Sequence, residues 1–327
     1  MGNLQNLQTL DLRGNILVVL PNTMSRLRNL KHLLFPNFYF FTSWGIGWSR
    51  VTFGNDALTK VETLKCIRAV DLIRYDAVIP LRNIRDLGIR GFTSAKEVCL
   101  VLQSLNSHSQ LGHLRSLWME LEKGEFPKLE LLSHCHVLTR LRLVGALSQE
   151  NLSLLPERLS KLELRLCLLN QDKLSVMEKL PNLRILRINK DRVPQKWVFS
   201  VNGFPKLEIL TLVELPRLEE WEVEEGAMRN LKRLEIRNIP RLRMIPEGLK
   251  YVTSLGELNI CQMEWAFKNR VRVNEQGIVG EDFYKQTYSG KYTPQAYAVG
   301  GVVLTSFIKA VSNVELNPVG TLLRAIF

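Results

Sequence analysis

The sequence has few cysteines, and none of them is paired in sequence. Its five cysteines are scattered along 327 residues, without a C-x-x-C motif. This usage is typical of a reduced, intracellular protein, and we predict a cytoplasmic location, with a peripheral position at the plasma membrane as the alternative. The chain begins Met1-Gly-Asn, without the basic and apolar regions of a signal peptide. No apolar run approaches the ~20 residues that a membrane-spanning helix needs, so no stable membrane insertion is expected.

Motifs of enzymes and cofactor-binding proteins are also missing. The sequence contains no G-x-x-x-x-G-K-[ST] phosphate loop, and no G-x-G-x-x-G, H-E-x-x-H or G-x-S-x-G motif. We therefore predict no enzymatic activity and no cofactor. His134-Cys135-His136 has the chemistry of metal ligands, but adjacent strand residues point to opposite faces and no second cluster completes a site. We predict core and surface positions for these three residues rather than a metal site.

Acidic residues are fewer than basic ones. The sequence has 32 Asp and Glu against 44 Lys and Arg, which gives a formal net charge of +12. Such a balance is compatible with a nucleic-acid partner, an anionic membrane, an acidic protein surface, or no partner at all. For a repeat protein we favour a protein partner and predict no nucleic-acid partner.

What the sequence does have is a recurring phrase, with a strict period of 24 residues between 180 and 260. Its frame is apolar-x-x-Leu-x-x-Leu-x-apolar, as in Leu180-Pro-Asn-Leu-Arg-Ile-Leu-Arg-Ile188. Frames of this kind start at residues 4, 27, 58, 81, 111, 135, 156, 180, 204, 228 and 252. A fixed period in this range with L-x-x-L-x-L is the signature of leucine-rich repeats, and the final L-x-L alternates like a strand with one buried face. We predict an α/β leucine-rich-repeat solenoid, or horseshoe, with a parallel concave β-sheet and a mostly irregular or helical convex side.

The frames also predict the domain organisation. The array covers residues 1–262, with about eleven repeats that are irregular over 36–110, and a C-terminal cap covers 263–288 before a tail of unknown structure at 289–327. The first frame starts at Leu4 without a preceding polar cap, which favours a piece of a longer protein. An aromatic-rich interruption at 36–57 is either an enlarged loop with its own small core or an aromatic contact patch. A helix is predicted from Ala95 to Leu105 on the convex side.

Residues that flank the strand leucines point out of the concave face. The candidate protein-binding residues selected on this basis are Arg140, Arg142, Lys161, Arg165, Ile185, Arg187, Ile209, Thr211, Arg233 and Arg237. Together with Val213, the isoleucines and Thr211 would form an apolar centre within a basic stripe, which suits a protein partner with an acidic patch. The alternative is a solvated face with unremarkable charge.

One acidic segment stands apart from these basic residues. Residues 219–225 contain five glutamates around Trp221 and Val223 and fall on the return side of their repeat. We predict either a solvated convex or lateral loop, or a segment that holds a basic intramolecular partner.

Several longer phrases are characteristic of one protein family. They include Gly2-Asn-Leu-Gln-Asn-Leu-Gln-Thr-Leu-Asp-Leu-Arg13, Leu218-Glu-Glu-Trp-Glu-Val-Glu-Glu225 and Ile239-Pro-Arg-Leu-Arg-Met-Ile-Pro-Glu-Gly-Leu249. They resemble the leucine-rich-repeat region of plant intracellular disease-resistance receptors of the coiled-coil type, and Gly280-Glu-Asp-Phe-Tyr284 resembles the end of that region. Such receptors join a coiled coil, a nucleotide-binding switch and these repeats. The coiled coil and the switch are both absent from this sequence, so ATP binding and cell-death signalling are not carried over.

The resemblance implies a non-enzymatic recognition module in plant defence. Its protein partner would be a pathogen effector, a guarded host protein, or the nucleotide-binding switch domain of a receptor that the repeats restrain. The short Leu-Pro turn phrases also resemble general intracellular leucine-rich-repeat scaffolds of Ras-linked signalling, and this is the alternative function.

Overall fold

The computed structural model describes residues 3–15, 26–35, 59–74 and 81–263. The strands are β1 (Thr9–Asp11), β2 (His32–Leu34), β3 (Thr63–Arg68), β4 (Asp86–Phe92), β5 (Ser116–Glu125), β6 (Arg140–Ala146), β7 (Lys161–Arg165), β8 (Ile185–Asn189), β9 (Lys196–Phe199), β10 (Ile209–Val213), β11 (Glu220–Val223), β12 (Arg233–Arg237) and β13 (Glu257–Cys261). The α-helices are α1 (Ala69–Arg74), α2 (Ala95–Ser107), α3 (Gln149–Ser153) and α4 (Gln171–Met177). Short 3-10 helices cover Leu111–His113, Glu130–His134 and Glu247–Tyr251.

Eleven of these strands form one parallel sheet in the order β1-β2-β3-β4-β5-β6-β7-β8-β10-β12-β13. Each strand coincides with one of the eleven frames, so the predicted leucine-rich-repeat solenoid is confirmed. The register aligns equivalent leucines of successive repeats, as with Leu186, Leu210 and Leu234. All three are fully buried. Stacking therefore turns leucines that no single repeat could bury into one continuous core, and we call the solvent side of this sheet the concave face.

A recurring asparagine fastens four of the repeats, each to the repeat before it. The Asn182 side-chain amide donates to the carbonyl of Glu157 at 2.9 Å, and that of Asn230 donates to the carbonyl of Pro205 at 2.6 Å. Asn29 and Asn83 make equivalent bonds. These carbonyls lie at turns, where the main chain has no ladder partner, so a side-chain donor is needed to satisfy them. The position just before the second leucine of the frame is therefore a structural one.

The chain leaves the sheet through a repeated left-handed turn. The residue after β7, β8, β10, β12 and β13 has a φ between 51° and 56°; these residues are Leu166, Lys190, Glu214, Asn238 and Gln262. The N–H of Lys190 donates to the carbonyl of Val213 at 2.9 Å, and that of Glu214 to the carbonyl of Arg237 at 2.9 Å, so each turn is tied to the next repeat. Of these five residues only Asn238 is of a type that favours this conformation, so the repeat, and not the residue type, imposes the turn.

The convex side contains helices, as predicted, and one sheet that the prediction missed. Helix α2 extends slightly beyond the predicted range, and Ser94 caps it by accepting a hydrogen bond from the N–H of Glu97 at 3.4 Å. Strands β9 and β11 form a separate parallel pair in which Trp197 aligns with Trp221. Both tryptophans are buried. Residues 196–199 and 220–223 alternate like strands, but each run is only four residues long and carries too little pattern to be recognised alone.

Aromatic side chains fill the space between the two sheets. The ring of Phe199 lies 5.4 Å from those of Trp197 and Trp221 and 5.5 Å from that of Phe204. The edge and tilted arrangements are those that aromatic quadrupoles favour. The segment 219–225 belongs to this layer, because it places β11 on the return side around Trp221 and Val223, as predicted.

Some predictions concern residues outside the described part of the chain. These are the aromatic-rich interruption at 36–57, the tail at 289–327 and the cap at 263–288, apart from Met263, which is buried. The domain boundaries at 262 and 288 therefore stay predictions.

Candidate protein-binding surface

The register of the sheet arranges the candidate side chains in three rows across neighbouring strands. The first row contains Arg140, Lys161, Ile185, Ile209 and Arg233. The second contains Arg142, Glu163, Arg187, Thr211 and Glu235. The third contains Val144, Arg165, Asn189, Val213 and Arg237. With about 4.8 Å between strands, all ten predicted residues lie on one continuous face.

Much of the positive charge on this face is matched by carboxylates of the same face. Glu163 lies in the middle of the stripe, 2.8 Å from Lys161, 3.4 Å from Arg187 and 3.7 Å from Arg142. Burial alone would raise the pKa of Glu163, but the hydrogen bond from Lys161 and the neighbouring positive charges outweigh it and lower the pKa below its usual range. Glu163 therefore remains ionised and holds three of the predicted basic residues together.

Two more of the predicted arginines also have acidic partners. Arg140 contacts Asp86 at 2.7 Å across the intervening strand β5, and Arg233 contacts Glu257 at 2.6 Å on the neighbouring strand β13. Because these pairs join residues 54 and 24 positions apart, the sequence did not show them. Among the described residues, no carboxylate lies within ion-pair distance of Arg237, which is exposed. The stripe is therefore a network of both signs, with less free positive charge than predicted.

The predicted apolar centre is smaller than expected. Ile185 and Ile209 are direct neighbours in the first row and both are partly exposed, as is Thr211. Val213, in contrast, is only 2% exposed and contributes little to the surface. Its position at the end of the strand, beside the left-handed turn, covers its side chain.

Trp118 was missing from the predicted set, although it lies in the second row next to Arg142. The guanidinium carbon of Arg142 lies 4.7 Å from the centre of the indole ring, which is cation–π distance. On the other side, Gly88 leaves space for the ring: a Cβ there would lie 3.0 Å from Cε3 of Trp118. Tryptophan and arginine are the residues that most often dominate binding energy in interfaces. The available sequence signal was a glycine and a tryptophan at equivalent strand positions of adjacent repeats.

The indole of Trp118 also has an unused donor. Its Nε1 is buried and has no hydrogen-bond partner in the described residues. A buried N–H without an acceptor is destabilising, and the core residues Trp197 and Trp221 share this feature.

Replacing Glu163 by glutamine tests the ion network on this face. We expect the free energy of unfolding to fall by about 1 kcal/mol at neutral pH, because three cations lose their shared counter-charge while the side-chain shape is kept. The native pKa of Glu163 is lowered, so its contribution is present above the unfolded pKa, near ~4.3, and is lost as pH falls through the native pKa. Urea unfolding should therefore show a difference in the free energy of unfolding between wild type and Glu163→Gln that disappears in acid. A difference that persists unchanged in acid would contradict this role of Glu163. Glu157→Gln, at an exposed position, is the control.

The other candidate sites have structural roles. Cys135 is fully buried, and its burial raises the pKa of the thiol to about 12. His134 and His136, on either side, are exposed. In the described residues, no group of three or more His, Cys, Asp or Glu side chains could hold a metal ion. Cys167 is buried and Cys261 is exposed, and neither is part of a disulfide.

The acidic segment on β11 does hold basic neighbours. Arg243 contacts Glu219 at 2.9 Å and Glu220 at 3.0 Å, and Lys196 contacts Glu222 at 2.6 Å. All of these partners belong to adjacent repeats, so the glutamates join neighbouring repeats on the return side. This is the second of the two interpretations that the sequence left open.

Comparison with known proteins gives a consistent result. The family model described as a leucine-rich repeat region matches residues 1–276. Disease resistance RPP8-like protein 3 of Arabidopsis thaliana is 38% identical over 132 residues, covering 40% of this chain and 14% of that protein. Probable disease resistance RPP8-like protein 4 of the same plant is 30% identical over 314 residues, covering 87% of this chain and 33% of that protein. The chain therefore spans a third or less of the length of these relatives.

Solved structures resemble the chain more loosely. The structure described as a TLR13–ssRNA13 complex has a TM-score of 0.47 and 14% sequence identity, covering 77% of this chain and 38% of that one. An internalin from Listeria monocytogenes has a TM-score of 0.39 and 13% identity, covering 80% of this chain and 83% of its own. Within the described residues, no helix has the length and apolar character needed to cross a membrane.

Proposed function

This chain belongs to the leucine-rich-repeat family, in the form found in plant disease-resistance proteins, and we propose that it is a non-enzymatic recognition module in plant defence. The proposed partner is a protein: a pathogen effector, a guarded host protein or a receptor's nucleotide-binding switch domain. The concave face binds it. The observation that supports this proposal most directly is the continuous surface of Trp118, Arg142, Ile185 and Arg187, which combines the residue types of interface hot spots.

The chemistry of this surface favours a partner with both an acidic and an apolar part. Arg187 and Arg237 are both exposed; Arg187 contacts Glu163 at 3.4 Å, whereas Arg237 lies outside the Glu163 network. Ile185 and Ile209 form a partly exposed apolar area within the first row, between Lys161 and Arg233. Charged side chains at the border of such a surface mainly speed association and select partners, whereas the aromatic and apolar centre contributes more of the affinity.

Charge reversal at the exposed arginines is the test. Arg187→Glu together with Arg237→Glu is expected to lower the association rate at least tenfold at low salt, with a smaller effect at high salt. The matched control, Arg158→Glu with Arg229→Glu, changes the net charge equally at exposed positions outside the sheet and should leave binding unchanged. Proximity labelling in leaf cells is carried out with the wild type, the control and the concave-face variant. The partner is the protein that the wild type and the control label and the concave-face variant does not. The association rates are then measured with the purified partner.

The identity of that protein separates the alternatives. An effector, a host protein or a nucleotide-binding switch domain would support the defence module, whereas a small GTPase or phosphatase would support the scaffold alternative. Equal labelling by the wild type and both variants would overturn the concave-face proposal.

A further inference from the structure

A second surface lies at the rim of the solenoid, where the chain has left the concave strands. Two repeats carry the phrase apolar-Pro-Arg-Leu there, at Leu215–Leu218 and Ile239–Leu242. The repeat before them places Arg192 next to Val193-Pro194. In the two phrases the flanking apolar residues are buried, whereas Arg192, Arg217 and Arg241 are exposed. Arg217 and Arg241 therefore occupy equivalent positions of two successive repeats, and Arg192 lies one residue out of that register in the repeat before them.

These arginines line one groove with a volume of about 730 Å³. Its walls include the apolar side chains of Leu168 and Pro194, and the amide side chains of Asn170 and Gln195 lie at its surface. This volume and this mixture of apolar walls with a few polar groups are those of small-molecule sites. The groove therefore has room for a ligand.

The positive charge of the groove is largely unmatched, unlike that of the concave face. Among the described residues, no carboxylate lies within ion-pair distance of Arg192 or Arg217, and Arg241 has Glu219 at 3.6 Å. The nearby Asp191 is fully buried, and its two oxygens accept hydrogen bonds from the N–H groups of Cys167 and Leu169. Asp191 is therefore engaged with the backbone below the groove.

An exposed leucine lies at the lip of the groove. Leu168 lines the groove and is 50% exposed. An exposed leucine beside three arginines gives the groove a site for an apolar part next to sites for anionic groups.

We propose that this groove binds a small polyanion that carries two or more phosphate or carboxylate groups. Each guanidinium can donate two parallel hydrogen bonds to one such group, and the three arginines line the same groove. The site is separate from the concave face and does not depend on the function proposed for it.

Calorimetric titration of the full chain with inorganic triphosphate and with citrate at low salt tests the proposal. Saturable binding is expected, and Arg192→Gln with Arg217→Gln should weaken it at least tenfold. The control, Arg158→Gln with Arg229→Gln, removes the same charge at exposed positions elsewhere and should bind like the wild type. Circular dichroism confirms folding of each protein.

The outcomes distinguish a phosphate ligand, an oxyanion ligand in general and a groove that binds neither. Binding of triphosphate alone supports a phosphate ligand, and binding of both anions supports a site for oxyanions in general. Absence of saturable binding, or equal weakening in the control, overturns the proposal. The variant with Arg187→Glu and Arg237→Glu should still bind triphosphate, so a failure of the concave-face proposal is distinguished from a failure of this one.

Discussion

Replacing Gly248 by alanine is expected to lower the free energy of unfolding by about 3 kcal/mol, the upper end of the usual range for overpacking. Gly248 lies in the 3-10 helix Glu247–Tyr251, which packs against the end of β11. A Cβ at this position would overlap the carbonyl oxygen of Val223 and lie 2.7 Å from its carbonyl carbon. Because the obstacle is backbone and not a flexible side chain, the helix and the strand have to separate.

The chain offers a matched control in Gly256. A Cβ there would have the carbonyl oxygen of Lys232 as its nearest neighbour, at 3.8 Å, which is ordinary contact. We expect Gly256→Ala to be neutral or slightly stabilising, because alanine reduces the conformational freedom of the unfolded chain. Urea unfolding midpoints of both variants provide the comparison. Equal midpoints for the two would show that the repeat can absorb a methyl group at Gly248 and that the packing described for it is wrong.

The main sheet could be predicted from the sequence because one residue type repeats at one period. Each L-x-L identifies a strand, and the fixed spacing stacks the strands in parallel without any other information. The irregular frames at 58, 81 and 111 still gave strands β3, β4 and β5, since the local alternation was intact there. The strands β9 and β11 could not be predicted in this way, because each is only four residues long. They can be recognised only from the structure, in which the main sheet places Trp197 beside Trp221.

The candidate surface could be predicted in position but not in charge. Alternation along the strand is enough to place Arg142 and Arg187 on the concave face. How much of their positive charge remains unmatched depends on Glu163, which the register brings between them. Ion pairs of this kind join repeats, so they depend on side-chain geometry between strands and not on local pattern. Alternation also places Trp118 on the concave face, but its contact with Arg142 and the space that Gly88 leaves for its ring depend on the neighbouring strands.

The rim surface could have been found from the sequence, although the prediction did not use the phrase that marks it. The phrase apolar-Pro-Arg-Leu is visible at residues 215–218 and 239–242, and its period matches that of the leucines. The leucines at this period are buried in the core. Of the two exposed arginines at the same period, Arg241 has Glu219 at 3.6 Å, and Arg217 has no carboxylate within ion-pair distance among the described residues.

Asp191→Ala is the second change with a large expected effect. Asp191 is fully buried, and its carboxylate accepts from the N–H of Cys167 at 2.5 Å and from that of Leu169 at 2.9 Å. Alanine would leave two buried donors without an acceptor, at roughly 1–3 kcal/mol each. We expect a loss of about 3 kcal/mol in acid, with a smaller loss at neutral pH, since removing a buried charge offsets part of it.

The pH dependence of this loss has a definite sign. Burial raises the pKa of Asp191, against the lowering effect of its backbone hydrogen bonds. A carboxyl whose native pKa lies above its unfolded value contributes stability that is complete below the unfolded pKa and is lost as pH rises through the native pKa. The difference in the free energy of unfolding between wild type and Asp191→Ala should therefore be largest near ~pH 4 and shrink toward ~pH 8. Urea unfolding of both proteins across that range would measure this difference. Asp172→Ala, at an exposed position on α4, should change stability by less than about 1 kcal/mol. A gap that widened with increasing pH would mean that the backbone hydrogen bonds, and not burial, determine the charge state of Asp191.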